Sequence, residues 1–133
     1  MAGAAITHFE IHVDDLERAK QFYAELFGWE FIDSGMEGYW LIGTGRSSGA
    51  NGQPAGIDGG MVKRNAPTPD MKSPPNAFAC TILVDDIAAT VAKAKELGAT
   101  ETTDQMDIPD VGLWHGLRDP DGNHIGVMQG AQR

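Results

Sequence analysis

Polar and apolar residues alternate strictly along Ile6-Thr7-His8-Phe9-Glu10-Ile11-His12-Val13. A period of two is that of a strand, so Phe9, Ile11 and Val13 fall on one face and His8, Glu10 and His12 on the other. His8 and His12 also have the spacing of a helical zinc pair. The β-branched and aromatic residues between them favour a strand, however, and a helix start follows at once. Asp14 is the expected cap, with Glu17 completing a capping box. Leu16, Ala19, Phe22, Tyr23, Leu26 and Phe27 then recur at steps of three and four, which predicts an amphipathic helix ended by Gly28. Strands are expected at 29–32, 39–42 and 57–63, the last weakened by the paired Gly59 and Gly60. Between the latter two lies a glycine-rich loop, 43–56, that carries Arg46, Ser47, Ser48 and Asn51.

The pattern then repeats. After a proline-rich stretch with the composition of a linker, Phe78-Ala79-Cys80-Thr81-Ile82-Leu83-Val84 is again a strand, and Asp85-Asp86-Ile87 echoes Asp14-Asp15-Leu16. Ile87, Val91, Ala94 and Leu97 mark a second helix, stopped by Gly98. Setting Val13 on Val84 also sets Glu25-Leu26 on Glu96-Leu97, so two halves built alike are the simplest explanation. The second half closes with 111–117, a turn at Asp119-Pro120-Asp121-Gly122-Asn123 and a strand at 125–128. The turn lacks the glycine position and terminal glutamate of a calcium loop. The chain reads as one domain, 1–133, with a first module at about 5–64, a linker at 65–76 and a second module at about 77–130.

Composition narrows the class of protein. At 133 residues and 41% hydrophobic, the chain can bury a real core, and no apolar run approaches a membrane span. A net charge of −9 argues against nucleic acid and anionic membranes as partners. One cysteine, Cys80, excludes an internal disulfide and suits a reducing cytoplasm, as does an N-terminus without a secretory signal. Cys80 shares a face with Phe78 and Ile82 and is read as a buried small hydrophobe. Gly43, Gly45 and Gly49 lack dinucleotide-binding spacing.

Residues 6–19, Phe22-Tyr23 and Leu26-Phe27-Gly28-Trp29 resemble the first module of the vicinal oxygen chelate superfamily, which includes glyoxalase I, bleomycin-resistance proteins and extradiol dioxygenases. Residues 119–123 and 125–129 resemble the closing hairpin of its second module. Gly59-Gly60-Met61, the proline-rich stretch and 108–112 are similar to a bacterial glyoxalase-like branch. The resemblance implies an α+β fold of two βαβββ modules, with helices outside and a curled mixed sheet around a cavity, often completed in a homodimer. It also implies a divalent metal held by side chains from the first and last strands of each module. His8 matches the first such position. Ala79 stands at its counterpart and Gly126 where the closing carboxylate is expected, while Gly59, Gly60 and Met61 offer no carboxylate. Asp58 is the nearest carboxylate and is expected to be out of register.

A zinc, nickel or iron site wants three or four donors around one ion. His8, Glu10 and His12 cannot supply it from one strand, since same-face neighbours lie about 7 Å apart. The expectation is therefore a cytoplasmic, homodimeric protein that binds a small organic molecule with no cofactor and no firmly held metal. Its pocket would be lined by His8, Glu10, His12, Trp40, Met61, Trp114 and Met128, since ligand sites are mostly apolar with a few placed polar groups. The alternative is an enzyme, a lyase, an isomerase or a dioxygenase, in which His8 and Glu10 are the catalytic pair, with or without a divalent metal. His124, beside a turn, is read as solvated; His115 faces whichever side Trp114 does not. Gly60 and Gly126, lacking side chains where relatives carry ligands, are expected to enlarge the cavity.

Overall fold

The alternation of the first strand survives in space. A computed structural model describes residues 3, 6–45, 56–71, 73 and 78–130, so most of the glycine-rich loop, with Arg46, Ser47, Ser48 and Asn51, lies outside the described residues. The chain forms two compact units, Met1–Ala66 and Pro67–Arg133.

In the first unit, β1 (Phe9–Val13) leads into α1 (Leu16–Phe27), followed by β2 (Glu30–Asp33), β3 (Tyr39–Gly43) and β4 (Gly59–Lys63). The sheet order is β1-β4-β3-β2, with β1 parallel to β4 and the other pairs antiparallel. Asp15, not Asp14, caps α1, its carboxylate accepting the Arg18 N–H at 3.0 Å. Asp14 instead pairs with Arg64, 3.2 Å away. Gly28 ends the helix at φ 72°, a left-handed geometry that suits glycine. Val13, Ala19, Ile42 and Met61 form the buried centre, with Phe9, Ile11, Leu16, Trp29, Phe31 and Trp40 packed around it. Tyr23 and Trp29 stack with ring centroids 4.8 Å apart.

The second unit repeats the plan: β5 (Cys80–Leu83), α2 (Ile87–Glu96), β6 (Thr100–Glu101), β7 (Met106–Ile108), β8 (Gly112–Arg118) and β9 (His124–Gly130). Its order is β5-β9-β8-β6, with β7 also on β8, so the second strand of this module is split in two. Asp86 caps α2 as Asp15 caps α1, accepting the Ala89 N–H at 3.0 Å. Ile87, Val91, Ala94, Leu117, Ile125 and Val127 are buried in its core. The two sheets and two helices are the α+β architecture of paired βαβββ modules. Part of the expected linker is bound to this unit: the Ser73 carbonyl accepts from Arg118, and Met71 and Pro69 lie against Gly122.

Candidate functional site

Each sheet has one face toward its helix and one open face. Strand register decides which residues share the open one. In the first unit, His12, Val62 and Tyr39 form one row across β1, β4 and β3; Glu10, Gly60, Leu41 and Ile32 form the next, reaching β2. His8, Glu10 and His12 are all on this face and all exposed. His12 Nε2 lies 3.1 Å from Glu10 Oε1, and His8 Nε2 lies 3.2 Å from the Tyr39 hydroxyl. Trp40 and Met61 are on the other face. Met61 is 0% exposed within the core, and Lys20 sits 3.7 Å over the Trp40 ring centroid. Both pack on the helix side because they stand in register with Ile11. That placement corrects their assignment to a pocket on the same face as His8, Glu10 and His12.

The second unit has the corresponding rows. Leu83, Met128 and Trp114 occupy one, and Thr81, Gly126 and Gly116 the next. Arg118, His124 and Thr100 follow at the end of the sheet. Trp114 therefore takes the place that Tyr39 takes in the first unit, and Gly126 that of Gly60. The two aromatic side chains behave alike. A Cβ on Gly60 would run into the Tyr39 phenol, Cε1 at 2.9 Å, and one on Gly126 into the Trp114 indole, Cε2 at 2.7 Å and Cζ2 at 2.8 Å. Each ring lies diagonally over the glycine of the neighbouring strand and reaches a polar side chain on the edge strand beyond. For Tyr39 that is His8; for Trp114 it is Thr81, whose Oγ1 accepts the indole N–H at 3.1 Å. The glycines seat aromatic rings. This corrects the reading of both as simple enlargements of the cavity.

Beside the Trp114 seat is a cavity of about 570 Å³, lined among others by Ala79, Thr81, Thr102, Trp114, Arg118 and Gly126. Its size is that of a small-molecule site. Of the seven side chains expected to line a pocket, Trp114 is the one that lines this cavity. Met128 is half-buried on the same face, in the row of Trp114, and is not part of the lining. Cys80 also borders the cavity and is exposed rather than buried, because β5 is an edge strand; partial desolvation still raises its thiol pKa. His124 is not simply solvated. It is half-buried, with Nε2 2.7 Å from Arg118 Nη2.

His115 faces the helix side, where it meets Glu101 at 2.9 Å; Lys95 from α2 reaches the other Glu101 oxygen at 2.7 Å. The hydrogen bond from Lys95, then that from His115, holds the Glu101 carboxyl below its ordinary value. This trio lies behind the sheet and fastens α2 to β6 and β8. Sequence reasoning missed Tyr39, Thr81 and Arg118. The available signal was the pairing of a β3-type aromatic with a β4-type glycine in both halves.

The residues at the superfamily's metal positions do not fit a tightly held ion. His8 alone carries a donor, and it is engaged by Tyr39. Gly60 and Gly126 are covered by rings, and Asp58 accepts from the backbone N–H and the hydroxyl of Thr44. Among the described residues, no three His, Cys, Asp or Glu side chains cluster as metal ligands.

A family model described as the Glyoxalase/Bleomycin resistance protein/Dioxygenase superfamily matches residues 5–127. Among solved structures, a glyoxalase/bleomycin resistance protein/dioxygenase family enzyme from Burkholderia phytofirmans PsJN is similar in fold, with a TM-score of 0.72. It is 17% identical, over 96% of this chain and 100% of that one. TnmS3, an antibiotic binding protein from Streptomyces sp. CB03234, is 27% identical over 98% of this chain and 99% of its own, with a TM-score of 0.61. The fosfomycin resistance protein FosX from Listeria monocytogenes shares the fold at a TM-score of 0.71 and 15% identity, over 98% and 94% of the two chains. No curated protein sequence matches significantly.

Proposed function

The chain belongs to the glyoxalase/bleomycin resistance protein/dioxygenase superfamily, and from that premise we propose that it binds a small organic molecule in the cavity beside Trp114, without a tightly held metal. One observation carries the reading. Where the resemblance places a metal-binding carboxylate, this chain has Gly126 with an indole laid across it, at the edge of a cavity of about 570 Å³. A ring in that place offers stacking and apolar area, which suit ligand capture. TnmS3, an antibiotic binding protein, supports a sequestering role by analogy. A cytoplasmic homodimer is part of the same proposal.

The test is metal analysis of protein purified without chelator, together with ligand binding followed by tryptophan fluorescence before and after addition of zinc, nickel, iron or manganese. Less than a tenth of an equivalent of metal, and affinity indifferent to added metal, is the expected result. Stoichiometric metal lost on substituting His8→Ala overturns the reading.

A second reading is favoured by the Glu10–His12 pair and the His8–Tyr39 contact, which are acid–base arrangements on one open face. In that reading the protein is a lyase, isomerase or dioxygenase of the superfamily with His8 and Glu10 as its catalytic groups. Unchanged ligand affinity with abolished turnover in His8→Ala and Glu10→Gln would establish it.

A further inference from the structure

The cavity wall includes a guanidinium, that of Arg118, which makes no ion pair among the described residues. Arg118 is 1% exposed. Its Nη1 donates to the Gly122 carbonyl at 2.6 Å, and its Nη2 donates to the Ser73 carbonyl, to Ser73 Oγ at 3.4 Å and to His124 Nε2 at 2.7 Å. Two of these partners are backbone carbonyls and one is a hydroxyl, all neutral; His124 Nε2 lies 3.1 Å from the Ser73 carbonyl as well. Nε is buried with no acceptor. The ion pairs among the described residues do not include Arg118.

Two carboxylates of the adjoining turn, Asp119 and Asp121, are also buried, and the ion pairs among the described residues join neither to Arg118. Asp119 accepts from the N–H groups of Asp121 and Asn123 and from the Asn123 amide, closing the turn. Glu101 is among the lining residues, but its carboxylate is held on the helix side of the sheet by Lys95 and His115. A guanidinium is always charged, and burying one without a counter-charge is costly unless an anion arrives. The acidic chain as a whole, at −9, would repel anions in general, which makes one local cation at a cavity wall the more specific feature.

At the other side of the cavity, the Trp114 indole rests on the Gly116–Gly126 pair, with Cη2 3.0 Å from a Cβ built on Gly116. One face of the ring is thus against the backbone, and the half-buried side chain lines the cavity, where a flat partner can stack on it. Trp114, Gly116 and Arg118 alternate along β8 on the same side of the sheet. Ring and guanidinium therefore sit about 13–14 Å apart at their Cα atoms, by the rise per residue. Both side chains border the one cavity, so a bicyclic ligand can span the gap between them.

We propose that the cavity takes a planar aromatic ligand bearing an anionic group, a carboxylate, sulfonate or phosphate, with its ring on Trp114 and its charge on Arg118. The proposal rests on reading this cavity as the ligand site. The anion takes over the place of Ser73 Oγ, the longest of the four contacts Arg118 makes, and a bidentate oxyanion also offers the acceptor that Nε lacks.

A matched pair of probes tests it: 2-naphthoate and 2-naphthylmethanol, which share the ring and differ in charge, titrated into the full chain by calorimetry. A charge-assisted contact predicts that the carboxylate binds about 10- to 100-fold more tightly. Because Arg118 also holds the turn and residue 73, its removal could unfold the chain, so Arg118→Lys is the variant to use; it keeps the charge, loses the fork, and is expected to erase most of the preference. Trp114→Leu is expected to weaken both probes equally and leave their ratio intact. Equal affinity of the two probes, or a ratio unmoved by Arg118→Lys, overturns the anion assignment while the binding reading stands. If neither probe binds at millimolar concentration, the cavity itself is not the ligand site and both fail.

Discussion

A single methyl group added at Gly126 tests whether that glycine exists to seat Trp114. An ideal Cβ there would lie 2.7 Å from Cε2 and 2.8 Å from Cζ2 of the indole. Carbons at rest lie about 3.5–4.0 Å apart, so the ring or the strand must give by close to an ångström. Overpacking of that kind costs about 1–3 kcal/mol. Lifting the ring also breaks the 3.1 Å bond to Thr81, a further loss of about 1 kcal/mol. Opposing both, alanine stabilises a strand interior by about 0.5–1 kcal/mol relative to glycine. The balance for Gly126→Ala is a net loss of about 1–3 kcal/mol.

In a Trp114→Val background the ring is gone and only the backbone term remains. There Gly126→Ala is expected to be neutral or to stabilise by up to about 1 kcal/mol. Urea unfolding of the four proteins, followed by far-ultraviolet circular dichroism because Trp114 itself is altered, closes the double-mutant cycle. With an m-value of about 1–3 kcal/mol/M, the single Gly126→Ala variant should lose roughly 1 M in midpoint. If Gly126→Ala has the same effect in both backgrounds, within about 0.5 kcal/mol, the two residues are independent and the seating argument is wrong.

Asp15→Ala and Asp86→Ala are each expected to destabilise by about 1 kcal/mol through loss of a helix cap, a fall of a few degrees in Tm; a wild-type Tm in either would remove that residue from the role. Glu101 has a folded-state pKa below its ordinary 4.5, so its contribution is present above that value and is lost as pH falls through the folded pKa. Glu101→Gln should therefore flatten the acid limb of the urea midpoint against pH, and parallel limbs in the two proteins would contradict it. Because the Cys80 thiol is pushed up by desolvation, alkylation by iodoacetamide at neutral pH should be slower than that of a free cysteine and should accelerate as pH rises. A rate equal to or above the free thiol's would refute the shift.

What could be read from sequence was whatever depends on period and local chemistry. The alternation in β1, the helix stripe, the stop at Gly28 and the repeated Asp-Asp doublet all act within a few residues, and they placed both modules. The cap expected at Asp14 falls one residue later, on Asp15, while Asp14 pairs with Arg64 from far along the chain, a contact that no local pattern reveals. β6 and β7 escaped notice because strands of two and three residues are too short to show a period. The site was less legible for a related reason. Gly60 and Gly126 were recognised as positions without donors, but emptiness in a sequence is not emptiness in a fold. Which side chain fills a glycine's place depends on the diagonal neighbour in the next strand, and that requires the register. Arg118 was missed because arginines are usually solvated and nothing local to the turn reveals that Ser73 and His124 close over it.

The paired seats carry one plan with two different sets of side chains. In both modules a ring on the third strand crosses a glycine on the fourth and is tied to the first, so the geometry of the open face is set by backbone register and one hydrogen bond. What differs is the group on the first strand. Thr81 does not titrate, and its hydroxyl accepts from the indole at any pH. His8 is an imidazole, and its contact with Tyr39 does not depend on which partner donates, since a phenol can both donate to and accept from a ring nitrogen. Neither seat therefore depends on protonation for its geometry. At Gly126, where the resemblance places a carboxylate, this chain lays a ring against its own backbone, and on the proposed reading that leaves Arg118, at the far end of the cavity, as the group that discriminates among ligands.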